Sequence, residues 1–259
     1  AYLGGLAGLG WEIPSVNVPF GIYVVGASVA QILGTVFLIR SFETRNFTVG
    51  TAYSKTETVQ TALFALVLLG ERMGPIALIG VVVSLIGVVL LSSPAGWRML
   101  LRTGPGAAGW FGMGAGAGFG IAAVCYRAAS LSLPEGEFFV RAALTLAGAT
   151  SVQTIGMGAF LYLASRNRFD TEGRSRPNSI TTVVRSWRRS VWVGISGMVA
   201  SAGWFTAMTL ERAAYVRALG QVELLFALGF SVFVFRERVS AVELLGAVLV
   251  VGGLLLLVL

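Results

Sequence analysis

Long apolar runs joined by short polar connections set the pattern of this chain. Eight runs, at about 19–40, 48–70, 75–92, 106–129, 138–164, 190–210, 213–235 and 239–259, approach or exceed the roughly 20 apolar residues that a bilayer-crossing helix takes. They predict an all-α, polytopic membrane helical bundle rather than a soluble core. Residues 1–18 do not read as a secretory leader. They hold Glu12 and Pro14 and lack a basic start followed by an apolar run.

An internal repeat is superimposed on the runs. Glu57, Glu71-Arg72, Gly80 and Gly87 recur as Glu223, Glu237-Arg238, Gly246 and Gly253, every pair 166 residues apart with no gap. Self-similarity of this kind in a membrane chain marks a transporter built from two related halves. The halves are read as residues 1–95 and 106–259. The second holds five predicted helices and the first holds three. Carried upstream, the repeat would start the first half about 60 residues before Ala1. The expectation is therefore a ten-helix whole, five plus five, with eight helices here and the first two absent. Five is odd, so the halves insert in opposite directions, and a binding site is expected near the midplane between them.

Composition agrees with the membrane reading. The chain is 56% hydrophobic and 12% charged, with mean hydropathy +0.81, against about 25% charged residues in a soluble domain. In a soluble protein a pI near 10.3 would point to nucleic acid. Here the arginines lie mainly in loops, so topology and anionic lipid account for the charge and no nucleic-acid partner is expected. Cys125 is the single cysteine, which excludes an internal disulfide, and there is no histidine. That removes the commonest catalytic base and metal ligand. With no G-x-S-x-G motif and no metal-ligand cluster, neither enzymatic activity nor a metal or cofactor is expected.

The run Phe64-Ala65-Leu66-Val67-Leu68-Leu69-Gly70-Glu71-Arg72, followed by Ile79-Gly80 and Ile86-Gly87-Val88, resembles the end of an EamA domain of the drug/metabolite transporter superfamily. Phe235-Arg236-Glu237-Arg238, followed by Leu245-Gly246 and Gly252-Gly253, resembles its second copy. The resemblance covers nearly all of the chain. It implies a ten-helix bundle, multi-pass in a bacterial cytoplasmic (inner) membrane, that moves small metabolites, often outward. The family often carries proline in the fourth and ninth helices of the whole. The matching runs here, 48–70 and 213–235, have none.

Candidate chemistry lies in those two runs. The first contains Thr51-Ala52-Tyr53-Ser54-Lys55-Thr56-Glu57-Thr58-Val59-Gln60-Thr61. Lysine or glutamate near a bilayer centre costs at least about 2.5–3.5 kcal/mol unless paired or wet. On a continuous helix Tyr53, Glu57, Gln60 and Phe64 share one face, while Lys55, the only lysine, points roughly the other way. The second run repeats the theme with Arg217, Gln221 and Glu223, and Glu223 is the repeat partner of Glu57. Two readings stand. In the functional one, Glu57 and Glu223 line a path and bind protons or a cationic group, while Lys55 and Arg217 meet a carboxylate. An amphoteric substrate such as an amino acid needs both signs. In the structural one, the charges form an interhelical network that only fixes how the halves dock.

Weaker candidates are Ser28, Gln31 and Thr35 on one helix, Gly197, Ser201 and Trp204 on another, and Thr150 and Gln153 with Thr154 beside them. Each could line a cavity or make a helix–helix hydrogen bond. Trp204 and Tyr53 also offer rings on which a substrate could stack. Gly112, Gly116 and Gly120, flanked by Gly114 and Gly118, have the G-x-x-x-G spacing that lets backbones approach closely. Arg127 and Arg141 flank the Pro134 loop and are expected to meet headgroups or Glu135 and Glu137. The two Glu-Arg turns read as structural caps and interface anchors. The arginine-rich stretch 165–189 puts that loop in the cytoplasm and both termini outside, whereas the family resemblance puts both termini inside.

The leading function is a secondary transporter of small metabolites, amino acids or related amphipathic compounds, working by alternating access. Protons are the candidate coupling ion and the lipid bilayer is the standing partner. A passive channel or a lipid-headgroup carrier is the alternative.

Overall fold

A computed structural model describes residues 2–8, 10–44, 47–92, 104, 106–166, 186–236 and 239–259. Every regular element among them is a helix: α1 (Tyr2–Gly8), α2 (Val18–Glu43), α3 (Phe47–Ser54), α4 (Glu57–Leu69), α5 (Pro75–Ser92), α6 (Gly106–Ser132), α7 (Phe138–Arg166), α8 (Trp187–Leu210), α9 (Ala213–Gly220), α10 (Glu223–Phe235) and α11 (Ala241–Val258). Seven stretches of the described residues are long and apolar enough to cross a membrane: α2, α5, α6, α7, α8, the α9–α10 pair and α11. The α3–α4 pair occupies the remaining predicted run. The Glu237-Arg238 turn and most of the arginine-rich stretch, residues 167–185, lie outside the described residues.

The repeat reaches the element boundaries themselves. Helices α3, α4 and α5 start at 47, 57 and 75 and end at 54, 69 and 92; α9, α10 and α11 start at 213, 223 and 241 and end at 220, 235 and 258. Each of these six boundaries recurs 166 residues on. Even the left-handed cap residue recurs, as Gly70 (φ 67°) after α4 and Arg236 (φ 55°) after α10.

The halves meet in opposite directions. Along the α5–α11 contact, Gly80 faces Gly253 and Gly87 faces Gly246, so one helix runs up as the other runs down. A Cβ on Gly80 would lie 2.6 Å from the Gly253 carbonyl oxygen, and one on Gly87 2.6 Å from that of Gly246. The four repeated glycines therefore face one another across a seam of touching backbones, which only hydrogen at Cα permits.

Helix α6 uses its glycines on two sides. Gly114 and Gly118 meet α2 at Phe37 and Gly34, while Gly112, Gly116 and Gly120 meet Gly50, the Ser54–Glu57 turn and Thr61 of α3–α4. One helix thus packs closely against two neighbours. The interior is built of small residues such as Ala27, Ala115, Ala122, Ala129 and Ala213, with Ser28, Thr58 and Thr61 among them. Large apolar residues such as Ile22, Val25, Val29, Leu33 and Val36 of α2 face outward. In lipid, burial of bulk gives no advantage and close backbone approach does, so this is the distribution expected of a membrane bundle.

Candidate functional site

Both candidate spans are broken at the same place. After Ser54 the amides of Lys55 and Thr56 turn to the carbonyls three residues back, Ala52 and Tyr53, at 3.3 and 3.2 Å. After Gly220 the amides of Gln221 and Val222 do the same with Ala218 and Leu219, both at 3.0 Å. Each is one tight turn of 3₁₀ type that ends one helix and starts another. No proline is involved. In the first copy, Ser54 Oγ and Thr56 Oγ1 donate to the carbonyls of Thr51 and Tyr53 at 2.8 and 2.6 Å. Such local side-chain bonds compete with the regular helix ladder. In the second copy Gly220, a poor helix former, stands at the position of Ser54.

The breaks place charge at helix ends. Glu57 and Glu223 fall in the first turns of α4 and α10, and Arg217 in the last turn of α9. Acids at helix N-termini and bases at C-termini match the peptide dipoles. The pairing is then crossed between the repeats. Arg217 Nη1 lies 3.0 Å from Glu57 Oε1, and Lys55 Nζ donates to Glu223 Oε1 at 2.8 Å. Each repeat's carboxylate takes the other repeat's base. The continuous-helix expectation had turned Lys55 away from this face; the break makes it a turn residue that reaches α10. The two pairs differ in setting. Glu57 and Arg217 are 16% and 21% exposed, whereas Glu223 is 60% exposed beside a Lys55 that is 20% exposed.

Other expected residues gather here. Gln221 Nε2 donates to Thr58 Oγ1 at 3.2 Å across the interface. The Arg217 guanidinium lies over the Trp204 ring, 5.1 Å from its centroid, a cation–π contact that ties α8 to α9. Gly220 abuts that ring so closely that a Cβ would collide with it. Gln60 Nε2 donates to Thr56 Oγ1 at 2.8 Å and to the Met113 carbonyl at 3.3 Å, and Tyr53 is half-buried against Gly112. Both of these therefore lie against α6. Gln60 Oε1, Gln221 Oε1 and Arg217 Nε are buried without a hydrogen-bond partner among the described residues.

The remaining candidates sit apart from the ion pairs. Gln153 Nε2 donates to the Tyr126 hydroxyl at 2.9 Å. Thr150 Oγ1 and Thr35 Oγ1 bond carbonyls of their own helices. Gln31 is half-buried on α2 with no hydrogen bond to the charged groups among the described residues. Gly197 is exposed and Ser201 half-buried. Tyr126, which the sequence did not single out, is 4% exposed with its ring 4.7 Å from that of Phe205. Arg127 also departs from expectation: it turns inward to Glu71 at 2.6 Å and not to Glu135, Glu137 or headgroups. Among the described residues no group of three metal-ligating side chains forms.

A cavity of about 890 Å³ flanks the site, lined by Trp204, Ala207, Tyr215, Val216, Leu219 and Leu257 among others. Ala200, Gly203 and Gly220 also line it. The repeat-related positions Gly34, Phe37, Gly50, Tyr53 and Ser54 form the α2–α3 face that α6 fills.

An inverted repeat with crossed ion pairs at two equivalent helix breaks is the organisation of a polytopic membrane transporter. The EamA-like transporter family model matches residues 5–93 and 107–259, and the chain belongs to that family. It is a multi-pass membrane transporter of a small-molecule substrate. No curated protein sequence matches it. A crystal structure described only as that of a protein superposes with TM-score 0.63, covering 98% of this chain and 79% of its own at 16% identity, which concerns the fold.

Proposed function

We propose that this protein is a secondary carrier that exports small amphoteric metabolites, amino acids among them, across a bacterial cytoplasmic membrane by alternating access. The observation that supports this most is the crossed pairing of Arg217 with Glu57 and of Lys55 with Glu223 at two equivalent helix breaks. Opposite charges within a membrane span are expensive to keep and are functional by default. An amphoteric substrate carries the same two charges as the pairs. Its carboxylate competes with Glu57 for Arg217, and its ammonium competes with Arg217 and Lys55 for the two glutamates.

The unpartnered Gln60 Oε1, Gln221 Oε1 and Arg217 Nε add two acceptors and one donor with capacity to spare. A buried polar atom left unpaired costs about 1–3 kcal/mol, so a ligand that satisfies these atoms recovers that cost. Trp204, already under Arg217, offers an apolar wall for a side chain. Protons are the proposed coupling ion. Neutralising Glu57 or Glu223 frees its base and loosens the tie between the helices that carry them. The repeats are residues 1–95 and 106–259, and alternating access takes helices of one apart from helices of the other.

The test is counterflow in proteoliposomes with a panel of labelled amino acids, amines and organic acids. Saturable exchange confined to compounds bearing both charges is expected. Exchange of simple amines or simple acids at equal rates refutes the amphoteric reading. Flux that never saturates refutes the carrier in favour of a channel.

A further inference from the structure

A second set of cross-bundle contacts lies about 20 Å from the ion pairs, at the far end of the 13-residue α4. Here Arg127 of α6 donates through Nε to Glu71 Oε1 at 2.6 Å. Its Nη1 donates to the carbonyls of Met208 and Glu211 at 2.8 and 2.6 Å. In return, Arg212 Nη1 donates to the carbonyl of Arg72 at 2.8 Å. Glu71 and Arg127 are 14% and 11% exposed.

The sides of this clasp belong to different bodies. Helix α6 packs along α2, α3 and α4 through its glycines, so Arg127 moves with the 70–74 turn. Met208, Glu211 and Arg212 form the corner between α8 and α9. Each body therefore sends one arginine to backbone carbonyls of the other. Met208 O is in the last turn of α8 and lacks a helical amide, which makes it a strong acceptor. The Glu71 carboxylate touches only Arg127 in this set, so its part is to aim and neutralise that guanidinium. Beneath the clasp is a buried apolar layer of Ala65, Ala123, Val124, Met208, Ala213 and Val216, again drawn from both bodies.

Resting on the alternating-access reading, we propose that Arg127 and Arg212, with Glu71 as positioning residue, are the gate of this carrier at the membrane face that bears Glu71. Any motion that parts α8–α9 from α4–α6 at this face must break both arginine contacts. Any state that holds them is closed there. The mid-span pairs then answer to substrate while the clasp sets which side the site faces.

The test places one reporter thiol beneath the clasp, Ala213→Cys in a Cys125→Ser background, in proteoliposomes. Ala213 is 0% exposed, so a membrane-impermeant maleimide should label it slowly from either side. Arg127→Gln should speed labelling by about ten-fold or more, from the Glu71 face alone, because loss of one partner of a buried charged pair is worth more than one decade; Arg212→Gln, whose bond to the Arg72 carbonyl is exposed, should speed it from the same face by a smaller factor. Glu71→Gln should speed it less, and Glu71→Gln with Arg127→Gln should be no faster than Arg127→Gln. Arg127→Lys, which keeps the charge and loses the fork, should fall between. Labelling at the parent rate in both arginine variants overturns the proposal. So does fast labelling from both faces, which marks a contact that merely holds the fold. Flux measured on the same variants separates this idea from the one beneath it. One-sided labelling without any change in exchange keeps the gate geometry and refutes its place in the cycle. Unchanged labelling with Glu57-dependent exchange keeps the carrier and refutes the gate.

Discussion

The two crossed ion pairs occupy equivalent places in the repeat, yet they should not be worth the same. Glu57 and Arg217 are about four-fifths buried at 3.0 Å. At that distance and an effective dielectric of about 20, the attraction is about 5 kcal/mol before desolvation. Removing either partner strands a buried charge, which costs about 3–5 kcal/mol. Glu57→Gln and Arg217→Gln should each destabilise by that amount. The double variant should cost no more than one single, giving a coupling of at least about 3 kcal/mol. Lys55 and Glu223 approach even closer, at 2.8 Å, but Glu223 is 60% exposed. A charge so open in mid-span must face water, and solvent screening should cut the coupling of Lys55 with Glu223 to below about 1 kcal/mol. Reversible SDS unfolding in mixed micelles, followed by tryptophan fluorescence, yields both cycles. Couplings equal within about 0.5 kcal/mol, or a larger one for Lys55 and Glu223, would refute the argument from burial.

Gly87→Ala should destabilise by about 1–3 kcal/mol in the same assay, because its Cβ would lie 2.6 Å from both Gly246 O and Val250 N. Gly252→Ala, with nothing within 4 Å, should cost nothing; equal losses at the two positions would contradict the seam. Arg236 holds a left-handed conformation at φ 55° where the other repeat has Gly70. Arg236→Gly should therefore raise stability by roughly 0.5–1 kcal/mol, and Gly70→Ala lower it by about 1 kcal/mol. A destabilised Arg236→Gly would show that the arginine side chain outweighs its strained backbone.

The sequence carried most of the architecture because its signals were of the kind that membrane folding obeys. Apolar length located the spans, and the four repeated glycines marked the two halves, though not that they would face one another along α5 and α11. The glycines of α6 likewise announced close packing, though not that alternate ones would face two different helices. The carboxylates of Glu57 and Glu223 stood out because charge in lipid demands a reason. What could not be read was the break in each span. Neither break carries proline, and only the second has a glycine, Gly220, so a continuous helix was expected and Lys55 was turned away from its partner. The available signal was the recurrence of polar residues at the same offset in both copies. Arg127 was assigned to loop neighbours because its partners are remote in sequence: Glu71, and two backbone carbonyls that composition cannot reveal. Tyr126 was passed over for a similar reason, since its partners Gln153 and Phe205 come from separate helices.

The claim that the crossed glutamates couple movement of substrate to protons is tested most directly by flux under an imposed pH gradient. Proteoliposomes holding the parent, Glu57→Gln and Glu223→Gln would be compared with and without the gradient, using a substrate found by counterflow. The account predicts gradient-stimulated flux in the parent, and exchange that no longer responds to the gradient in at least one glutamine variant. Gradient-driven flux unchanged in both variants would contradict it and leave the two ion pairs as struts between the repeats.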